Sequence, residues 1–483
     1  MSTINTNIPS LVSQRHLRVS QRDLGVSLER LASGLRINRG ADDPAGLIVS
    51  ERLRAEVHAV TQAIDNSLRA SNVIATTEGA LDEVSALLID IQALIIEAAN
   101  SGAFSDEETD ANQLQIDSAI ESITRIANTT TFAGRKLLNG GLDYITSGVV
   151  ATDLANVNVF SAKFGTLTSI PVNINVTTSG RQAELAFAGS VTSSVAVTVN
   201  VEGPEGVVTL NFPASTTTTQ MATDINAVSQ DTGIIAVLSG PGTPPDGSQG
   251  VRLLSTAYGS KAFVSVTPLP GSAGLTLVDP LDGVVDTRAT GVDAVATING
   301  ASSVADGLDL SLSTSLLKLE VTLQAAFGAG TTSFSITGGG ALFQLGPRVG
   351  TNQQENIGVK AMQANKLGNV LVGFLSELKS GQKNALVTGN FKPASDIIDE
   401  VITQVAVLRG RLGAFERNTL QTNVNQLQIT TENLTAAESA IRDTDFAVET
   451  TELTRSQILV QAGNSILAIA NAQAQNVLTL LGG

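Results

Sequence analysis

Cysteine and tryptophan are absent from the 483 residues, and histidine occurs only at His16 and His58. The missing cysteine excludes thiol chemistry, disulfides and Cys-ligated zinc. With two histidines, both within helical patterns and without acidic or aromatic neighbours in sequence, acid–base catalysis and metal binding lack their commonest side chains. Aromatics make up 3% of the chain, so cores anchored by large rings are not expected. Positive charge is also short: 29 Lys and Arg against 45 Asp and Glu leave a formal charge of −16. That sign opposes nucleic acid, which needs a positive surface to release its counterions. The glycine runs lack the Gly-Lys-Ser/Thr ending of a phosphate loop. These absences point away from an enzyme, and neither a cofactor nor a metal is expected.

A secretory signal needs a basic stretch followed by an apolar one. The first charge here is Arg15, after polar residues with isolated aliphatics, so no such signal is expected. Beyond Arg455 no charge occurs up to Gly483, a length that could span a bilayer. Gln461, Asn464, Asn471, Gln473, Gln475 and Asn476 interrupt it, and each amide would need a partner inside lipid. The stretch reads as an uncharged helix buried in a protein assembly.

Proline marks the organisation. None lies between Pro44 and Pro171 or after Pro393, and nine of the thirteen fall between Pro171 and Pro280. The chain reads helical, then β-rich, then helical: an α+β protein with a long coiled-coil rod built from both ends. The expected division is an inner terminal-helix domain from 1–45 with 440–483, and a rod from 46–164 with 341–439. A β-rich outer region spans 165–340, as two consecutive parts, 165–285 and 286–340. Gly338-Gly339-Gly340 then leads back towards helix.

Leu17, Leu24, Leu28, Leu31 and Leu35 follow heptad-like steps. Leu81, Val84, Leu88, Ile91 and Ile95 alternate three and four residues apart, as do Val401, Val405, Leu408 and Leu412. That spacing is a coiled-coil seam, and each such helix exposes a stripe it cannot bury alone. Between the first helices, Gly40 suits a C-terminal cap, Asp43 an N-cap and Pro44 the first helical position. The Asp42-Asp43 pair is read as capping rather than calcium binding, since no further acidic ligand is near.

The two ends resemble bacterial flagellin. The N-terminal matches are INTNIPSL, LERLASGLRINRGADDPAGLIVSERLRAEV, ATTEGALDEVSALL and TFAGRKLLNG. The C-terminal match is ENLTAAESAIRDTDFAVETTELTRSQILVQAGNSILAIANAQAQNVLTLLGG. The resemblance implies a self-assembling subunit of the extracellular flagellar filament, exported unfolded through the flagellar type III pathway. It implies terminal helices that pack antiparallel along the filament core, with Leu17, Leu24, Leu28, Leu31, Leu35, Leu459, Ile466, Ala470 and Val477 at the assembly interface. The implied partners are further copies, the cap and hook–filament junction proteins, and an export chaperone at the C-terminal helix. The alternatives are a hook–filament junction protein of the same superfamily and a surface adhesin using the β-rich middle. The full C-terminal match argues against the first. The middle has no tryptophan and one tyrosine, Tyr258, which argues against a sugar-stacking adhesin.

Two charged stripes remain. Arg15, Arg18 and Arg22 share one face of the first helix, and Asp445, Glu449 and Glu452 one face of the last. They read equally as solvated faces or as complementary stripes that fix how the terminal helices meet. In flagellins sensed by the flagellin-recognising Toll-like receptor, a segment resembling LQRVREL follows TEGAL. Here it aligns with residues 88–94, where Ile89 and Asp90 replace Gln-Arg, Leu94 is kept, and the family's contacting glutamate aligns with Gln115. The resemblance therefore implies weak or absent recognition by that receptor.

Overall fold

The computed structural model describes residues 6–100, 102, 105–187, 196–239, 250–270, 277–280 and 284–481, with side chains on the last helix to Gln473. The helices are α1 (Ile8–Ser33), α2 (Pro44–Ala99), α3 (Asp106–Thr129), α4 (Thr218–Ala227), α5 (Ser229–Thr232), α6 (Phe391–Phe415), α7 (Thr422–Arg442) and α8 (Phe446–Leu481). None among the described residues is long and apolar enough to cross a membrane. The chain forms two compact units, one from 1–71, 344–349 and 416–483, the other from 72–343 and 350–415.

In the first unit the helix ends are set by local chemistry. The Asn7 side chain accepts the Ser10 N–H at 3.1 Å, and Pro9 sits in the opening turn of α1, where a missing N–H costs nothing. At the other end Gly34 turns left-handed at φ 73° and donates to the Arg30 carbonyl. A side chain at that φ would be strained, which is why glycine closes the helix. The expected cap at Gly40 is therefore corrected: α1 ends six residues earlier, and Gly40 lies in the turn before α2. Further along, Val60, Ala63 and Leu427 form a small core between α2 and α7, with Ile64 and Leu434 packed on it.

In the second unit the rod is built from the C-terminal part of α2, α3 and α6. Leu81, Val84, Leu88 and Ile91 on α2, Ile116, Ile120 and Ile123 on α3, and Val401, Val405 and Leu412 on α6 are buried. An Arg409–Asp82 ion pair at 2.9 Å and a Gln92–Asp399 hydrogen bond at 2.7 Å join α6 to α2. The helical pattern does not resume after Gly340. Residues 350–390 hold short strands and single 3-10 turns; glycines recur there, and Gln113 of α3 satisfies two of the backbone groups. Its amide donates to the Leu378 carbonyl at 2.8 Å and accepts the Leu386 N–H at 2.7 Å.

The β-rich region has two cores, and they are nested, where 165–285 and 286–340 were expected to follow one another. One sandwich pairs a five-stranded sheet, in the order 301–302, 295–298, 170–178, 330–339 and 144–147, with a four-stranded sheet of 304–306, 309–313, 317–323 and 154–162. Alternate residues such as Val172, Ile174, Leu319, Val321 and Ile336 fill its core, as period-two patterning requires. Inside its sequence, 182–290 supplies two further four-stranded sheets and α4, with a core of Leu185, Val199, Val201, Phe212, Val264 and Val266. Gly203 and Gly206 flank a hairpin bend, and Asn299-Gly300 has φ of 50° and 80°.

Candidate assembly interface

The terminal helices α1 and α8 pack antiparallel. Asn7 donates its amide to the Ala470 carbonyl and Ser10 its hydroxyl to Asn471, both at 2.9 Å. At the opposite end Arg30 pairs with Glu449 at 3.4 Å. Midway, Gly463 stands against Leu17. Together these contacts run in opposite order along the two helices, from Asn7 and Ser10 against Ala470 and Asn471 to Arg30 against Glu449. Leu17 against Gly463 sets a large side chain against a residue with none, which lets the two backbones approach closely there. Ser10, Ser27, Ser456 and Ala470 are buried in this seam. The leucine periodicity by itself does not reveal the serines and Gly463. The signal was present as small residues at the intervening three–four positions.

A second feature joins the two ends. The segment after α1 runs beside the break between α7 and α8: the Arg36 N–H donates to the Arg442 carbonyl at 2.7 Å, and the Thr444 N–H to the Gly34 carbonyl at 2.9 Å. The Arg36 guanidinium reaches the Ile441 carbonyl, and Arg442 pairs with Glu51 at 2.7 Å. Asp42 accepts the Arg39 and Asn38 backbone N–H groups, and these two hydrogen bonds, Arg39 first, hold its carboxyl below the ordinary range. Asp43 accepts the Gly46 N–H at 2.9 Å, so it does cap α2. The two quoted motifs, far apart in sequence, are one structural joint.

The sequence-derived residues divide between two faces. Leu17, Leu24, Leu31 and Ala470 lie in the intrachain seam, half-buried or buried, and Leu35 bridges to Asp443 just past α1. Leu28, Leu459 and Ile466 point outwards, and the Val477 side chain lies outside the described residues. Ile8, Leu11, Val12 and Val19 on α1, with Ile458 and Ile469 on α8, are exposed beside them; the last two are 61% and 63% exposed.

The charged stripes do not meet within the chain. Arg22 pairs with its neighbour Asp23 and Glu452 with Arg455, while Asp445 caps α8 by accepting the Ala447 and Val448 N–H groups. Among the described residues Arg15 and Arg18 have no carboxylate within 4.0 Å. Glu449 is the exception, and its partner is Arg30, outside the stripe. In the rod, Ile95 and Leu408 are buried with the other seam residues. Ile89, Asp90 and Gln115 are exposed on α2 and α3, and Leu94 is half-buried.

Residues 4–142 match the family described as bacterial flagellin N-terminal helical region, and residues 395–481 the bacterial flagellin C-terminal helical region. The chain is 30% identical to the flagellin of Salmonella typhimurium over 506 residues, covering 99% of both. It is 29% identical to the B-type flagellin of Pseudomonas aeruginosa over 535 residues, again with 99% of both covered. A solved structure of FliC from Burkholderia pseudomallei overlays 73% of this chain and 99% of its own at 15% identity and a TM-score of 0.25.

Proposed function

The chain belongs to the bacterial flagellins and is a structural subunit of the extracellular flagellar filament, and from that premise we propose that it polymerises through the outward faces of α1 and α8. The observation that carries this is the division of labour on those helices. Their small-and-large seam is used up within the chain, while Ile8, Leu11, Val19, Leu28, Ile458, Leu459, Ile466 and Ile469 stay exposed. No charge follows Arg455, so neighbouring copies can cover α8 without stranding an ion. Apolar burial of about 25 cal/mol per Å² supplies the drive.

The same outward face of α8 suits an export chaperone before assembly, and the cap and hook–filament junction proteins are the partners at the filament's two ends. The exposed Ile89 and Asp90 support weak recognition by the flagellin-sensing Toll-like receptor. Ile458→Asp combined with Ile469→Asp tests the assembly surface. Seeded growth followed by electron microscopy is expected to give filaments from the parent and none from the variant, whose rod unfolds at the parental midpoint. Normal filaments from the double variant would overturn the reading.

A further inference from the structure

Two half-buried cations of the second unit have no carboxylate within ion-pairing distance. Arg411, on α6, lays its guanidinium over the Phe160 ring at 4.0 Å and donates one N–H to the Phe160 carbonyl at 3.2 Å. The Lys360 ammonium donates to the Asn158 amide oxygen. Among the described residues no Asp or Glu lies within 4.0 Å of either group. Burial pulls the Arg411 pKa down to about 10 and lowers that of Lys360. Asp143 and Glu320 act on both groups only from beyond ion-pairing distance, and burial pushes their own carboxyls up. Glu400 also acts on Lys360 from a distance, and its carboxylate accepts from Gln404.

Cations partly withdrawn from water are ordinarily paired, because the cost of desolvation is otherwise uncompensated. Here both line one cavity of about 100 Å³, with Lys366 also in the lining and Met362 and Val407 among its apolar walls. No carboxylate is among the lining residues. The guanidinium has four further N–H donors and the ammonium two. This volume accommodates a tetrahedral oxyanion or the tip of a carboxylate side chain.

We propose that this cavity binds one small oxyanion, a phosphate, sulfate or carboxylate group, with Arg411 and Lys360 as its counter-charges and Lys366 at the entrance. The group comes either from a free anion or from an acidic side chain of a neighbouring copy.

The test is calorimetric titration of the full-length monomer with inorganic phosphate at constant ionic strength, against chloride. Saturable one-to-one binding is expected for the parent. Lys360→Met is expected to abolish it without lowering the unfolding midpoint in phosphate-free buffer, since an apolar stem replaces an unmatched charge. Lys366→Gln, at an exposed position that cannot compromise folding, is expected to weaken binding by up to about fivefold. Binding that survives polymerisation assigns the site to a free anion, and binding lost on polymerisation assigns it to a neighbour's carboxylate. A response that does not saturate, or that is equal in parent and Lys360→Met, overturns the proposal.

Discussion

Gly463 of α8 faces Leu17 of α1 so closely that a Cβ built at 463 would stand 3.7 Å from the Leu17 Cβ and 3.2 Å from its Cδ1. The first separation is that of a disulfide's paired Cβ atoms, which average about 3.8 Å. The chain has no cysteine of its own, so Leu17→Cys with Gly463→Cys is a clean probe of the register. The double variant is expected to form an intrachain disulfide on mild oxidation, seen as faster migration on a non-reducing gel. Exclusively interchain crosslinking would mean that α1 and α8 do not pair this way.

Leu88 is fully buried in the rod beside Leu81, Val84 and Ile91. Its truncation removes about three methylene equivalents and leaves a cavity between helices that cannot collapse freely. Leu88→Ala is expected to cost about 2–5 kcal/mol, measured as the shift in urea midpoint of the monomer. Midpoints equal within error would reject its place in the seam.

Tyr144 is buried at the base of the first sandwich, and its hydroxyl oxygen accepts the Ala162 N–H at 2.9 Å. Burial is the main cause that pushes its pKa from 10.0 up to about 12. The unfolded chain therefore ionises first as the pH rises. This contribution to stability is intact below about 10 and is lost by about 12. Tyr144→Phe leaves the Ala162 N–H without its acceptor and is expected to cost about 1–3 kcal/mol near neutrality. Above pH 10 the difference between parent and variant should narrow. A gap that stays constant from neutrality to pH 12 would contradict the assignment.

Arg181 and Val292 exchange backbone hydrogen bonds at 2.8 and 3.1 Å, so the chain leaves and re-enters the first sandwich at one point. Excision of 182–290 with a short linker is expected to leave a folded subunit that still polymerises into a thinner filament. Excision of 165–340, the region that proline content delimits, is expected to yield aggregated protein. It would strip strand 154–162 of its partner strand 317–323. Electron micrographs of the two products decide between the boundaries.

Ile89 and Asp90 sit exposed on α2, at the positions where the flagellin resemblance implies Gln-Arg in receptor-active members. An acidic group in place of a guanidinium reverses the charge, and losing such a partner typically costs about 2–5 kcal/mol. The monomer is therefore expected to be a weak agonist in receptor-reporter cells, partly restored by Ile89→Gln with Asp90→Arg. Potency equal to that of a flagellin carrying LQRVREL would refute this.

The helical ends, the rod seams and the β-rich middle are legible in residue patterns alone. Leu81 to Ile95 show a periodicity that needs nothing but burial on one face, and Asp43-Pro44 cap α2 through contacts within four residues. Charge scarcity after Arg455 likewise needs no coordinates. Tertiary structure alone decided the partners. Arg30 rather than Arg15, Arg18 or Arg22 meets Glu449, because register depends on where Gly463 and the serines let two backbones close up. The nested order of the two sandwiches was hidden for a related reason. Alternating residues say that a strand has one buried face, but which distant strand supplies its hydrogen bonds is settled only when both cores close. Lys360 and Arg411 are 51 residues apart and share no pattern, so only folding around Phe160 brings their charges together.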